Sequence, residues 1–338
     1  MNKKIRKRIS TIAIMAMVIA LTAGCQKKAE SSITGNATAD AGKEKVVIRV
    51  AHQPGHAQPI IADKQGFFKE EFGDDVEVQL SVFASGPPII EAFTAGQVDF
   101  CFVGDQPAIQ GIANGLDIKI LASYASTEAG NALIATPKSG IKTLADIKGK
   151  KIGYTVGSVG HQLLLKFLVS QNLTEADAEL LNLSPADMYA SLQAGTIDGA
   201  VTWEPYITNS VSEGIATLIQ DGTGYKYNVN VIAGSSKFLG ENPDITARLL
   251  KVFNKAAVWA DEHQDEALKI IGEASSLDPA AFEASFSKFN RSLFLDDKKI
   301  DSIKETASYL YEQGLIRKEV DVTNIIDTTY LQKAGITE

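Results

Sequence analysis

The chain is poor in the residues that fix most cofactors and cross-links. It has two cysteines, Cys25 and Cys101, and four histidines in 338 residues. Cys25 closes an N-terminal leader, so one thiol remains and no intrachain disulfide can form. There is no G-x-G-x-x-G run and no P-loop lysine; Gly157-Ser158-Val159-Gly160 is only superficially like a phosphate loop. His52, His56 and His161 are not read as a metal site, so neither a cofactor nor a metal is expected. Basic residues are scarce as well, 33 against 41 acids, for a net charge of −8. Loss of the leader's five basic residues takes this to −13, which argues against nucleic acid as a partner and against adhesion to an acidic membrane surface. A small anion is not excluded, because local dipoles can outweigh the global field. After residue 45 there is no low-complexity segment and no second long apolar run.

The leader defines a compartment. Lys3, Lys4, Arg6, Lys7 and Arg8 precede an apolar core, Ile12–Leu21, too short for a comfortable membrane span. Leu21-Thr22-Ala23-Gly24-Cys25 resembles the lipobox of bacterial lipoproteins, in which cleavage before the cysteine leaves it lipidated. Residues 1–24 are therefore expected to be a signal peptide. Residues 25–45, polar and without apolar periodicity, are expected to be a flexible tether. The implied location is extracytoplasmic, anchored to the bacterial membrane by lipid on Cys25. From Cys25 on, 314 residues are enough for two α/β lobes with real cores.

What is present is a repeat. AGQVD at Ala95–Asp99 has a near copy, AGTID at Ala194–Asp198, 99 positions on. A helical run precedes each copy and a short apolar run follows. Each apolar run ends in an acid and a proline, Asp105 with Pro107 and Glu204 with Pro205. Gly96 and Gly195 suit helix ends. Val98 and Ile197 are expected to open buried parallel strands, with Asp105 and Glu204 capping the next helices and proline at their first positions. Two copies of an α/β unit predict two similar lobes and a cleft between them. From Lys237 on, the pattern turns helical.

Four turns lead from strand to helix: Ser85–Pro87, Asp105–Pro107, Ser158–His161 and Glu204–Pro205. Their unpaired N–H groups and partial positive charge could hold an oxyanion without arginine, helped by the Ser85 and Ser158 hydroxyls. Gln53, after the first strand, could donate through its amide. Trp203, Tyr206, Phe83 and Tyr154 could wall an apolar pocket. Cys101 lies within an apolar strand run, where an inert thiol is the usual case, so no enzyme is expected.

Phe83–Phe100, Val103–Gly115, Thr143–Leu168, Ser184–Tyr206 and Gln220–Thr223 resemble, in order and spacing, the solute-binding proteins of ABC importers of the nitrate/sulfonate/taurine group. The likeness to aliphatic sulfonate-binding proteins is strongest and runs from residue 46 to the C-terminus. It implies an α/β fold of the periplasmic-binding-protein-like type II. Residues 46–136 plus 231–338 would form lobe one and residues 137–230 lobe two. The protein would act as a monomer and deliver its solute to a membrane permease. The family's oxyanion contacts map onto Gln53, Ser85, Gly86, Asp105 and Gln106 in lobe one. In lobe two they map onto Ser158, Val159, Gly160, His161 and Trp203. Two features depart from sulfonate binders: Ser158-Val159-Gly160 replaces a serine-rich stretch, and Glu204 stands in place of aspartate. Glu204 could reach the ammonium of a zwitterion such as taurine. The implied ligand is an organosulfonate; nitrate, another small anion or a thiamin-precursor pyrimidine is the alternative. A pyrimidine would need aromatic residues on both walls, and Trp203 and Tyr206 both fall on lobe two. A remote alternative is a carbon–sulfur bond-cleaving enzyme on the same fold.

Overall fold

The computed structural model describes residues 45–275 and 279–338. The leader, Cys25 and nearly all of the tether lie outside them. The described strands, in chain order, are β1 (Val46–His52), β2 (Val76–Val82), β3 (Phe100–Gly104), β4 (Ile118–Thr127) and β5 (Asn131–Ala135), followed by β6 (Lys151–Tyr154), β7 (Glu179–Asn182), β8 (Gly199–Trp203), β9 (Thr217–Asp221) and β10 (Asn228–Ser235). They form two five-stranded sheets, in the orders β2-β1-β3-β10-β4 and β7-β6-β8-β5-β9. The sheets share one plan. β1 runs parallel to β2 and β3, and β6 runs parallel to β7 and β8. An antiparallel strand then follows, β10 in one sheet and β5 in the other.

That strand is where the chain crosses between lobes. The sequence expectation drew the lobe boundaries at 136/137 and 230/231. The pairing moves both. β5 joins the second sheet from Asn131, opposite Trp203, and β10 joins the first from Asn228, opposite Thr127. An apolar run such as Ala132–Ala135 suits either sheet equally, and only its long-range partners decide which one it enters.

Alternation along β1 and β3 sends side chains to both faces of the first sheet. Ile48, Val50, Phe100 and Phe102 join one apolar cluster, and Ala51, Cys101 and Val103 join the other. The C-terminal helices cover these faces. Phe253 of helix Pro243–Glu262 packs in the first cluster, and Ile303 and Leu310 of helix Asp297–Glu312 pack in the second. The second sheet is likewise covered on both faces, with Leu133 and Val201 in one cluster and Ala132 and Ile134 in another.

The repeat is structural. Gly96 and Gly195 follow helices Gly86–Thr94 and Pro185–Ala194 with φ of 69° and 67°. Asp99 accepts from the Arg49 backbone N–H at 2.9 Å, and Asp198 accepts from that of Lys151 at 2.8 Å. Each copy thereby fastens its turn to the neighbouring parallel strand, at the middle of β1 and at the start of β6. One detail differs from expectation. Val98 and Ile197 lie before the strands rather than opening them, as buried plugs in the turn.

Candidate functional site

All four expected strand-to-helix turns form, leading into helices Gly86–Thr94, Asp105–Ala113, Val159–Ser170 and Tyr206–Ser212. A fifth joins β1 to helix Ala57–Lys64. Both sheets, Gly130 of the crossing between β4 and β5, and helix Pro279–Phe286 contribute to a cavity of about 120 Å³. Ala57, Gly86 and Val159 line it, so three helix N-termini bring unpaired N–H groups and partial positive charge to one space. The residues before two of these helices, His56 and Ser85, make no side-chain cap bond to the first turn.

Of the expected ligand-contacting residues, Gln53, Gly86, Ser158, Val159, Trp203 and Glu204 line the cavity. Ser158 contributes differently from expectation. Its hydroxyl donates to the Thr155 carbonyl at 2.7 Å and accepts from the His161 N–H at 3.3 Å, so it is engaged as a helix cap.

The other five expected residues do not line the cavity. Ser85 is buried at its N-cap position. Gln106 is fully buried, and neither end of its amide has a protein partner. Gly160 packs against β8, where a Cβ would stand 3.1 Å from the Val201 carbonyl oxygen. The His161 ring is buried near Tyr154, with Nδ1 accepting from the Gly157 N–H and Nε2 3.7 Å from the Glu175 carboxylate. Burial holds its pKa below the usual range, partly opposed by Glu175.

Asp105 is the largest correction. Its carboxylate is fully buried and meets Lys226 Nζ at 2.8 Å and the Thr306 hydroxyl at 2.7 Å. Lys226 also donates to Thr306 at 2.7 Å. Lys226 lies on the crossing between β9 and β10, and Thr306 lies on helix Asp297–Glu312. Asp105 therefore belongs to a buried polar knot at the hinge. It is the first residue of its helix rather than the cap, with Pro107 third, whereas Glu204 caps helix Tyr206–Ser212 by accepting from the Thr208 N–H at 3.0 Å, with Pro205 at the N-cap.

Glu204 faces the other lobe. Its second oxygen meets Lys288 Nζ at 2.5 Å, an ion pair across the cleft. Lys166 of helix Val159–Ser170 and Glu305 of helix Asp297–Glu312 form a second such pair. Gly104 and Val159 approach so closely that a Cβ on Gly104 would stand 2.7 Å from Val159 Cγ1. The lobes are thus closed on one another around the cavity.

Sequence reasoning missed much of the lining. Asn131, Asn228 and Asn230, at the strand ends beside the crossings, supply amides. Asn131 Nδ2 and Asn228 Oδ1 are buried without a partner. Tyr124, Phe282, Phe286 and Phe289 add aromatic surface from lobe one, opposite Trp203. Of the four aromatic residues expected to wall the pocket only Trp203 does so; Phe83, Tyr154 and Tyr206 do not line it, Phe83 packing on a lobe-one cluster and Tyr154 in the lobe-two core. Arg291 is the one lysine or arginine among the described lining residues, and its guanidinium is taken up by Asp261 and the Phe286 carbonyl. An anion here would meet neutral donors and helix dipoles rather than a free cation.

Two further groups were candidates for chemistry. His52 and His56 stand four residues apart, a spacing met in metal sites, yet His52 donates to the Gln53 carbonyl and His56 bonds Tyr124. Cys101 is buried within β3, and burial pushes its thiol up to about 12, which leaves a negligible thiolate fraction near neutral pH.

The NMT1/THI5 like family model matches residues 53–267. A Bacillus subtilis (strain 168) protein named for aliphatic sulfonates binding is 31% identical over 327 residues, spanning 96% of each chain. An Escherichia coli (strain K12) protein of the same designation is 25% identical over 286 residues, spanning 81% of this chain and 86% of its own. Among solved structures, the alkanesulfonate-binding protein SsuA from Xanthomonas axonopodis pv. citri, bound to MOPS, superposes with a TM-score of 0.78 at 25% identity, covering 84% of this chain and 99% of that one.

Proposed function

Because the chain belongs to the NMT1/THI5-like family, we propose that it is the extracytoplasmic solute-binding component of an ABC importer, capturing an organosulfonate between its lobes and passing it to a membrane permease. The observation that carries this reading is the closed interlobe cavity, where three helix N-termini and unpartnered amides meet beside aromatic surface, with no free lysine or arginine among the described lining residues. That set suits a weakly basic oxyanion on a carbon chain: N–H donors for the oxygens, and Trp203 and the phenylalanines for the chain. Lobe closure would follow from contacts made to both lobes at once. Anchoring by lipid on Cys25 and action as a monomer are parts of the same reading. The buried, protonated Cys101 thiol supports capture rather than cysteine chemistry.

The test is calorimetric titration of the purified protein with alkanesulfonates of increasing chain length, taurine and nitrate. Micromolar or tighter binding of at least one sulfonate is expected, and silence toward every sulfonate would overturn the assignment. A second reading rests on the aromatic residues of both walls, which suit a flat ring such as a thiamin-precursor pyrimidine. The same titration with a hydroxymethylpyrimidine separates the two, since tighter binding of the pyrimidine would replace the sulfonate.

A further inference from the structure

We propose that the ligand's anionic group is gripped by one neutral side-chain donor from each lobe, the Tyr124 hydroxyl from lobe one and the Asn131 amide from lobe two, with the Tyr124 proton aimed into the cavity by a single tautomer of His56. This rests on the anion-binding reading above and names the residues that would carry its specificity.

The direction of each proton follows from the bonds. The Gln53 backbone N–H donates to His56 Nδ1 at 3.3 Å, so Nδ1 carries no hydrogen. The hydrogen of the neutral ring then sits on Nε2, which lies 3.0 Å from the Tyr124 oxygen. With Nε2–H donating to that oxygen, the Tyr124 hydroxyl hydrogen must point elsewhere, and both residues line the cavity. His56 stays neutral, because burial, and secondarily the neighbouring His52, hold it well below the usual histidine range. Burial, with a smaller contribution from Cys101, holds the Tyr124 phenol well above its ordinary value, so the proton remains to be donated.

Asn131 answers from the other side of the crossing. It opens β5, is nine-tenths buried or more, and its Nδ2 has no partner. A buried amide nitrogen without a partner costs folding free energy, and an oxyanion oxygen would satisfy it. Tyr124 lies near the end of β4 and Asn131 opens β5, on either side of the point where the chain crosses. An anion held by both would couple occupancy to lobe closure.

The experiment has two arms. Titration of wild type, Tyr124→Phe and Asn131→Ala with butanesulfonate and nitrate reads the donors, and thermal melts check that the variants fold. Each variant is expected to lose roughly 10- to 100-fold in affinity for the bound anion, the range for removing a hydrogen bond to a charged group. A Tyr124→Phe protein within about twofold of wild type would overturn the proposal. The second arm needs no ligand. Nitrogen-15 histidine spectra, with His56 assigned by its loss in His56→Gln, are expected to show a neutral ring protonated on Nε2. A proton on Nδ1 would overturn the relay even if butanesulfonate binds. If wild type bound nitrate but no sulfonate, the sulfonate assignment would fail while the donor proposal was still decided by the nitrate affinities and the spectra.

Discussion

The two lobes share a strand order and a turn motif, yet the acid that ends each motif strand has a different fate. In lobe one Asp105 has no exposed surface and is tied to Lys226 and Thr306 away from the cavity. In lobe two Glu204 lines the cavity and reaches across the cleft to Lys288. The shared parts do scaffold work. Gly96 and Gly195 end helices, and Asp99 and Asp198 fasten the turns to the neighbouring strands β1 and β6. The parts that differ carry charge. One lobe uses its acid to fix the hinge, and the other uses its acid to hold the cleft shut. A duplicated unit thus keeps its backbone reasons while its side chains diverge in role.

The sharpest break of this comparison is Asp105→Ala. Removing one partner of a buried ion pair leaves the other charge unpaired, at a cost of about 3–5 kcal/mol. Lys226, 5% exposed, has the Thr306 hydroxyl as its other side-chain partner. Urea unfolding should show a loss of that size. The double variant Asp105→Leu with Lys226→Met should recover most of it, because paired apolar replacement removes both desolvation costs. A single-variant loss below about 1 kcal/mol would mean that the knot does not hold the hinge.

Acid should weaken lobe one before lobe two. His52 and His56 belong to lobe one, and burial lowers both, His56 most strongly. His161 in lobe two is lowered less far. A histidine depressed in the folded state binds more protons when unfolded, so stability rises with pH in that window. It is fully present above the unfolded value of about 6.5 and is lost as pH falls toward the folded value. His56 alone should give a slope approaching about 1.4 kcal/mol per pH unit below pH 6. Denaturation midpoints from pH 7 to 5 check this, and His56→Gln should flatten the dependence.

Gly96→Ala and Gly195→Ala compare the two copies directly. Both glycines have positive φ, and nothing stands within 4 Å of an added Cβ in either. The cost is then conformational, about 1–2 kcal/mol, and should be equal in the two lobes. A difference above about 0.5 kcal/mol in unfolding would show that the two turns are not equivalent.

These glycines were legible because local chemistry decides them: a helix must end, and glycine ends it at low cost. The four strand-to-helix turns and most strand positions were legible for the same reason. Asp105 was visible as an acid at a helix start, but its partners lie 121 and 201 residues away. No local pattern reports that distance, so a cap and a buried ion pair look alike in the sequence. The asparagines at 131, 228 and 230 carry no periodic signal and become site residues only because the crossings bring them together. Phe282, Phe286 and Phe289 read as ordinary core residues of a helical tail. Cys101 was legible throughout, since an apolar run on both sides already implied burial.

Glu204→Gln is expected to change stability least and function more. Its partner Lys288 is about one-third exposed, so the released ammonium can be solvated and the pair is worth little to folding, on the order of 0.5–1 kcal/mol after screening. The glutamine keeps an oxygen that can accept from the Thr208 N–H, so the cap survives. What is lost is an attraction between lobes, and a closed state weakened by that amount binds its ligand only two- to fivefold less tightly. The loss should shrink as salt rises, whereas the Asp105→Ala defect, buried from solvent ions, should not. Titrations with butanesulfonate at 20 mM and 500 mM salt, where the screening length is about 20 and 4 Å, measure the difference. If Glu204→Gln and Asp105→Ala respond to salt alike, the two acids do the same work after all and the asymmetry between the lobes is one of position only.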